Sequence, residues 1–150
     1  MEKGLLETEL IDGDATRLQF YGGEFDLVCE FGVLHHIRKP EVAVAEMLRV
    51  AKRAIFISDS NNFGQGSFVA RMIKQFINAL RLWKFFNLIK TQGKGYTISE
   101  GDGVAYSYSV FNNYRQIRDQ CKSIHLLNTV DGHLNLYKTA SHLALLGIKK

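Results

Sequence analysis

At 150 residues, with 46% hydrophobic and 23% charged side chains, the chain suits one domain burying about 68–70% of its unfolded surface. A single proline among 13 glycines argues against a disordered linker; Cys29 and Cys121 give neither a disulfide framework nor a metal spacing. The net charge of +4 is no nucleic-acid footprint, since residues 60–99 hold 6 basic and no acidic side chains and no nucleic-acid-binding motif accompanies them.

Met1 to Leu10 carries three glutamates and no apolar signal-peptide core, so a reduced, cytoplasmic setting is expected. Glu7 to Asp12 is expected to be a strand with Leu10 and Ile11 buried, ending at Gly13-Asp14-Ala15. Phe25 to Phe31 is a short apolar run, the pattern of a parallel strand covered on both faces, with Cys29 a buried thiol. Glu30 closes that strand, where a carboxylate must be paired, hydrogen-bonded or exposed at the sheet edge; simple exposure is the plain reading.

Gly32 and His35-His36 mark a turn. Adjacent histidines on a helix do not point at one ion and no other ligand cluster has metal spacing, so no metal is expected. His35 reads either as a general base or as a helix-start or pocket-wall residue. Pro40 to Val50 is a helix, opened by a proline whose missing N–H costs nothing there, with Val44, Leu48 and Ala51 on its buried face. Glu41 complements its N-terminal dipole, and Arg49, Lys52 and Arg53 its C-terminal end. Ala54 to Asp59 is a buried strand, and Asp59 is either a turn cap or a group that orients a substrate or accepts its proton.

Phe68 to Ile89 has a helical pattern, with Phe68, Met72, Phe76, Leu80 and Trp83 along one stripe and Arg71, Lys74, Asn78 and Arg81 opposite. Such a segment packs against its domain or lies on an anionic membrane. Tyr106 to Phe111 alternates as a strand does; its aromatics are candidates for packing or for a pocket. Tyr114 to Lys122 reads as a helix, Ile124 to Leu127 and Leu143 to Ile148 as strands, with Gly132 at the turn between them.

The succession Gly13-Asp14-Ala15, Phe25-Asp26-Leu27-Val28, Val33-Leu34-His35-His36 and Glu46-Met47-Leu48-Arg49-Val50 resembles the class I S-adenosylmethionine-dependent methyltransferases. It covers about residues 7–60. The resemblance implies an α/β fold, a partial doubly wound (Rossmann-like) sheet from the third strand onward, with a helical and aromatic lid insertion. Residues 1–60 would form the cofactor side, 61–115 the lid and 116–150 the last helix and strands. It implies S-adenosyl-L-methionine as cofactor, with Asp14 and Ala15 at the adenine and Glu30 and Phe31 near the sulfonium. Phe68–Ile89 would be a lid over the acceptor, and Tyr106, Tyr108 and Tyr114 would line its pocket.

The sequence departs from the family in one large respect. The family's opening strand, Gly-rich loop and acid-bearing second strand need roughly 30 residues or more, and only Met1 to Leu6 precede Glu7. The expectation is therefore a methyltransferase acting on a small-molecule or lipid-like acceptor, but binding the cofactor weakly as given. The rival expectation is a non-catalytic remnant that serves as a binding module. The family's sheet order, 3-2-1-4-5-7-6, would then leave the fourth strand open to self-association.

Overall fold

In a computed structural model, residues 10–129 and 140–150 are described, and they form a four-stranded sheet with a separate hairpin. The sheet contains β1 (Phe25–Phe31), β2 (Ala51–Ser60), β5 (Cys121–Asn128) and β6 (His142–Lys149), in the order β1-β2-β6-β5. β1 and β2 run parallel, while β6 lies antiparallel to both β2 and β5. This order matches the 4-5-7-6 half of the sheet that the resemblance implies.

β1 and β2 are joined through α1 (Pro40–Val50). Pro40 occupies the first turn and Glu41 complements the dipole there. Ala43, Val44, Met47 and Leu48 are buried against Leu34, Ile55, Ile57, Val110, Ile117, Leu143 and Leu145, and this is the core. The helix stops at Val50, so Lys52 and Arg53 lie in β2 and not at the helix end; Arg53 Nε pairs with Asp26 at 3.0 Å on the surface. A Glu46–Arg49 pair fastens the preceding loop. Glu46 accepts from Leu18 N (2.9 Å), and Arg49 donates to the Leu18 and Phe20 carbonyls (2.9 and 2.8 Å).

Beyond β2 come α2 (Phe68–Ala79), α3 (Trp83–Lys90), the hairpin β3 (Tyr96–Ser99) and β4 (Gly103–Tyr106), and α4 (Tyr114–Gln120). The return to the sheet is tightly built. Fully buried Asn61 donates through its amide to Ala140 O at 2.8 Å, and its carbonyl oxygen accepts from Ser109 Oγ at 3.0 Å. Gly64 packs so closely that a Cβ there would stand 1.8 Å from Ala140 O.

Several expectations are corrected. Glu7–Glu9 and Gly132 lie outside the described residues, but Leu10 to Asp12 is not strand, and Leu10 and Ile11 are exposed. β1 is an edge strand whose Phe25, Leu27, Cys29 and Phe31 are exposed, because no described element covers that face. The single helix expected over residues 68–89 is two, broken at Arg81 in the left-handed region (φ 61°), and neither half has a buried residue. Of the Tyr106–Phe111 segment only Tyr106 lies in a strand, at the end of β4; Val110–Asn113 forms a 3-10 turn.

Candidate functional site

The site grows from the carboxyl ends of β1 and β2, where ligands of open α/β sheets bind. Gly32 (φ 67°) adopts a conformation that disfavours a side chain, and its N–H donates to Ser58 O at 2.8 Å. The chain then turns through the 3-10 segment Leu34–His36. Two buried carboxylates hold this turn. Glu30 Oε1 accepts from the Val33 and Leu34 N–H groups, the latter at 3.2 Å. Asp59, fully buried, accepts from His35 N at 3.2 Å and lies 2.6 Å from His35 Nδ1.

Glu30 is thus neither exposed nor aimed at solvent; it is spent on the backbone of the turn. Burial is the main force on its acidity, opposed by the Val33 amide and reinforced by the charge of Asp59, and together they raise its pKa to about 7. His35 pairs with an acceptor-only carboxylate, so Nδ1 carries the proton and Nε2 presents its lone pair. That is the tautomer a general base requires.

The turn separates two spaces. On one side, Ala15, Leu18, Val28, Glu30, Phe31 and Leu34 help to line an apolar groove of about 370 Å³. On the other, His35, Tyr96, Asp102, Tyr106, Tyr108 and Lys90 border a polar cavity of about 400 Å³. Leu34 faces the groove and its neighbour His35 the cavity.

The structure therefore brings His35 together with Asp59, and Ala15 with Glu30 and Phe31. Asp14 stands apart from the groove lining; its Oδ1 accepts from Thr16 Oγ1 at 2.7 Å and Thr16 N at 2.8 Å, and these bonds lower its pKa. Tyr106 and Tyr108 border the cavity, the latter with its hydroxyl turned to Asn113 Oδ1 at 3.0 Å. Burial, with the nearby charges of Asp59 and Glu30, raises the Tyr108 pKa. Tyr114 is not at the cavity; it packs on the core at the start of α4.

His36 stands out in the sequence only as His35's neighbour in a metal reading that is set aside, and Tyr96 and Asp102 were not legible as site residues. Only the glycines around them, at 93, 95, 101 and 103, hinted at a folded-back hairpin. The hairpin sets Val104 O 2.7 Å from His36 Nδ1, and the two histidine rings stack at 3.9 Å between centroids. Adjacent histidines were expected to diverge. On this tight turn they converge instead, with Asp102, so that one ligand atom from each residue lies within 4.8 Å of the others.

Comparison with known proteins fits this geometry. The fold is similar to a SAM-dependent methyltransferase from Thermotoga maritima (TM-score 0.55, 15% identity, 93% of this chain and 63% of that one). It is likewise similar to a SAM-dependent methyltransferase from Methanosarcina mazei (TM-score 0.53, 13% identity, 91% and 65%). At such identity the likeness is one of fold, and the chain spans less than two thirds of either relative. No curated protein sequence matches it significantly. The fold is that of S-adenosylmethionine-dependent methyltransferase domains, and part of the sequence agrees with it. The sequence part of that statement rests on residues 2–57, which match the family described as Methyltransferase domain.

Proposed function

We propose that this chain carries the acceptor side of a methyltransferase whose substrate is a small or lipid-like molecule held in the cavity beside His35. One observation carries the reading: consecutive residues, Leu34 and His35, face an apolar groove and a polar cavity on opposite sides of a turn pinned by two buried carboxylates. A donor in the groove and an acceptor in the cavity would meet at that turn.

The groove suits part of the cofactor. Ala15 has a side chain small enough for a nucleobase to approach the backbone, and exposed Phe31 offers an aromatic face to a cation. When bound, S-adenosylmethionine supplies a methyl carbon on a sulfonium that leaves as a neutral thioether. The chain's own task is alignment, which accounts for about 7–11 kcal/mol of a barrier in favourable cases. His35 Nε2 would take the proton of a hydroxyl or amine acceptor, and Asp59 would stabilise the resulting imidazolium while fixing the ring. Glu30 contributes by positioning, through the Val33 and Leu34 amides.

Amide NMR during a titration with S-adenosylmethionine tests the cofactor side and detects weak binding. Shifts should centre on Ala15 and Glu30–Leu34, saturate only at high concentration, and vanish in Ala15→Trp. No response, or one centred on Tyr96–Tyr108, would sink the assignment. Micromolar affinity would overturn the expectation of weak binding.

The lipid-like acceptor draws support from α2 and α3. Their apolar stripe faces outward, with Phe68 69% and Phe76 67% exposed, while Lys74 turns inward to the Asn62 and Gln65 carbonyls at 2.9 and 3.1 Å. Exposed Arg81, Lys84 and Lys90 flank Leu82, Phe85, Leu88 and Ile89. Outward apolar side chains flanked by cations suit peripheral contact with an anionic membrane.

A further inference from the structure

Two imidazole lone pairs and a carboxylate meet at the mouth of the cavity. His35 Nδ1 is committed to Asp59 at 2.6 Å, and His36 Nδ1 to the Val104 carbonyl at 2.7 Å. Both partners accept only, so both rings carry the proton on Nδ1 and leave Nε2 bare. The bare atoms lie 3.9 Å (His35) and 3.5 Å (His36) from the oxygens of Asp102. Among the described residues no donor other than these imidazoles approaches the Asp102 carboxylate. Three electron-rich atoms converging in this way attract positive charge between them.

We propose that His35, His36 and Asp102 bind a divalent first-row transition metal ion. Ligand atoms on a tetrahedral zinc ion with bonds of about 2.0–2.2 Å stand about 3.3–3.5 Å apart. The three ligand atoms now lie within 4.8 Å of one another, so modest movement of both imidazoles and of Asp102, whose side chain is 62% exposed, would close the set around such an ion. The outer partners are already in place, since metal-bound histidines usually donate their second N–H to a carboxylate or a backbone carbonyl. Two imidazoles and one carboxylate select zinc, cobalt, nickel or iron over the all-oxygen preference of calcium and magnesium.

With three protein ligands the ion keeps an open position. His35 and Asp102 both border the cavity, so that position adjoins the space assigned to the acceptor. The ion would engage an oxygen or sulfur of a cavity ligand directly. It would also take up the Nε2 lone pair, so His35 serves as ligand or as base, not as both at once. The binding itself does not depend on methyl transfer.

Calorimetry of the 150-residue chain with zinc chloride should show one ion bound at this site. Cobalt chloride should give visible absorption bands of a low-coordinate complex, and calcium and magnesium chloride should give no heat. His36→Ala and Asp102→Ala should each weaken zinc binding at least tenfold, while His125→Ala, on exposed β5, leaves it unchanged. Both site variants alter partly or largely exposed side chains, and unchanged circular dichroism would establish that they fold. Absence of zinc binding overturns the proposal, as does zinc binding that both variants retain. Loss of zinc binding in Asp102→Ala, with cofactor-induced amide shifts retained, would show that the two assignments stand or fall separately.

Discussion

Glu30 is a carboxylate whose pKa is raised by its surroundings. Its pKa, raised from 4.5 to about 7, has a definite consequence for stability. Below the unfolded value both states are protonated and the group contributes nothing. As pH climbs from 4.5 towards 7, the unfolded chain releases the proton while the folded chain keeps it, so stability falls by up to about 3 kcal/mol and then levels off. Glu30→Gln preserves the acceptor for Val33 and Leu34 and cannot ionise. Urea denaturation at pH 5 and pH 8 should therefore show the variant gaining on the wild type at the higher pH. An advantage of equal size at both values would refute this account. The sequence marked Glu30 as an expensive strand-end carboxylate. It could not say that the turn that follows meets part of the cost, through Oε1 alone, because that depends on where a four-residue segment folds back.

At the scale of elements, local pattern and assembled surroundings part company. Pro40–Val50 was legible because its signals are local: proline in the first turn, an apolar face at helical spacing, and Arg49 in the last turn. Phe25–Phe31 was legible as a strand for the same reason, but its coverage was not, since coverage belongs to neighbours. The described residues pair nothing beyond its outer edge, and open edges recruit other strands. We expect concentration-dependent self-association, read by light scattering as a mass above 17.0 kDa. Leu27→Lys, on the exposed face, should hold the protein at the monomer mass with little change in melting temperature. A wild type that stays monomeric at high concentration would contradict the expectation. The break at Arg81 was hidden differently: a non-glycine residue at positive φ carries no sequence mark.

Across the whole molecule, the charge pattern and the fold converge on one surface. The basic segment 60–99 supplies α2 and α3, which present apolar side chains outward instead of burying them. The sequence leaves burial against the domain, lid and membrane contact open; Trp83 packs on Phe63 at 4.9 Å and donates to Ser107 Oγ, while Phe68, Phe76 and Phe85 stay exposed. Co-sedimentation with vesicles containing anionic lipid should retain the chain, with release at high salt and weaker retention on neutral vesicles. Equal retention on both would remove the electrostatic part of this reading. Among the described residues no helix is long and apolar enough to cross a membrane. The tripeptide Leu34–His36 has a further implication for how such a protein could be altered. It works as a party wall between two rooms, and any change of its shape is felt on both sides. If the cavity holds the proposed acceptor, new acceptor preferences would therefore be easier to install in the Tyr96–Tyr106 hairpin, which borders only one of them.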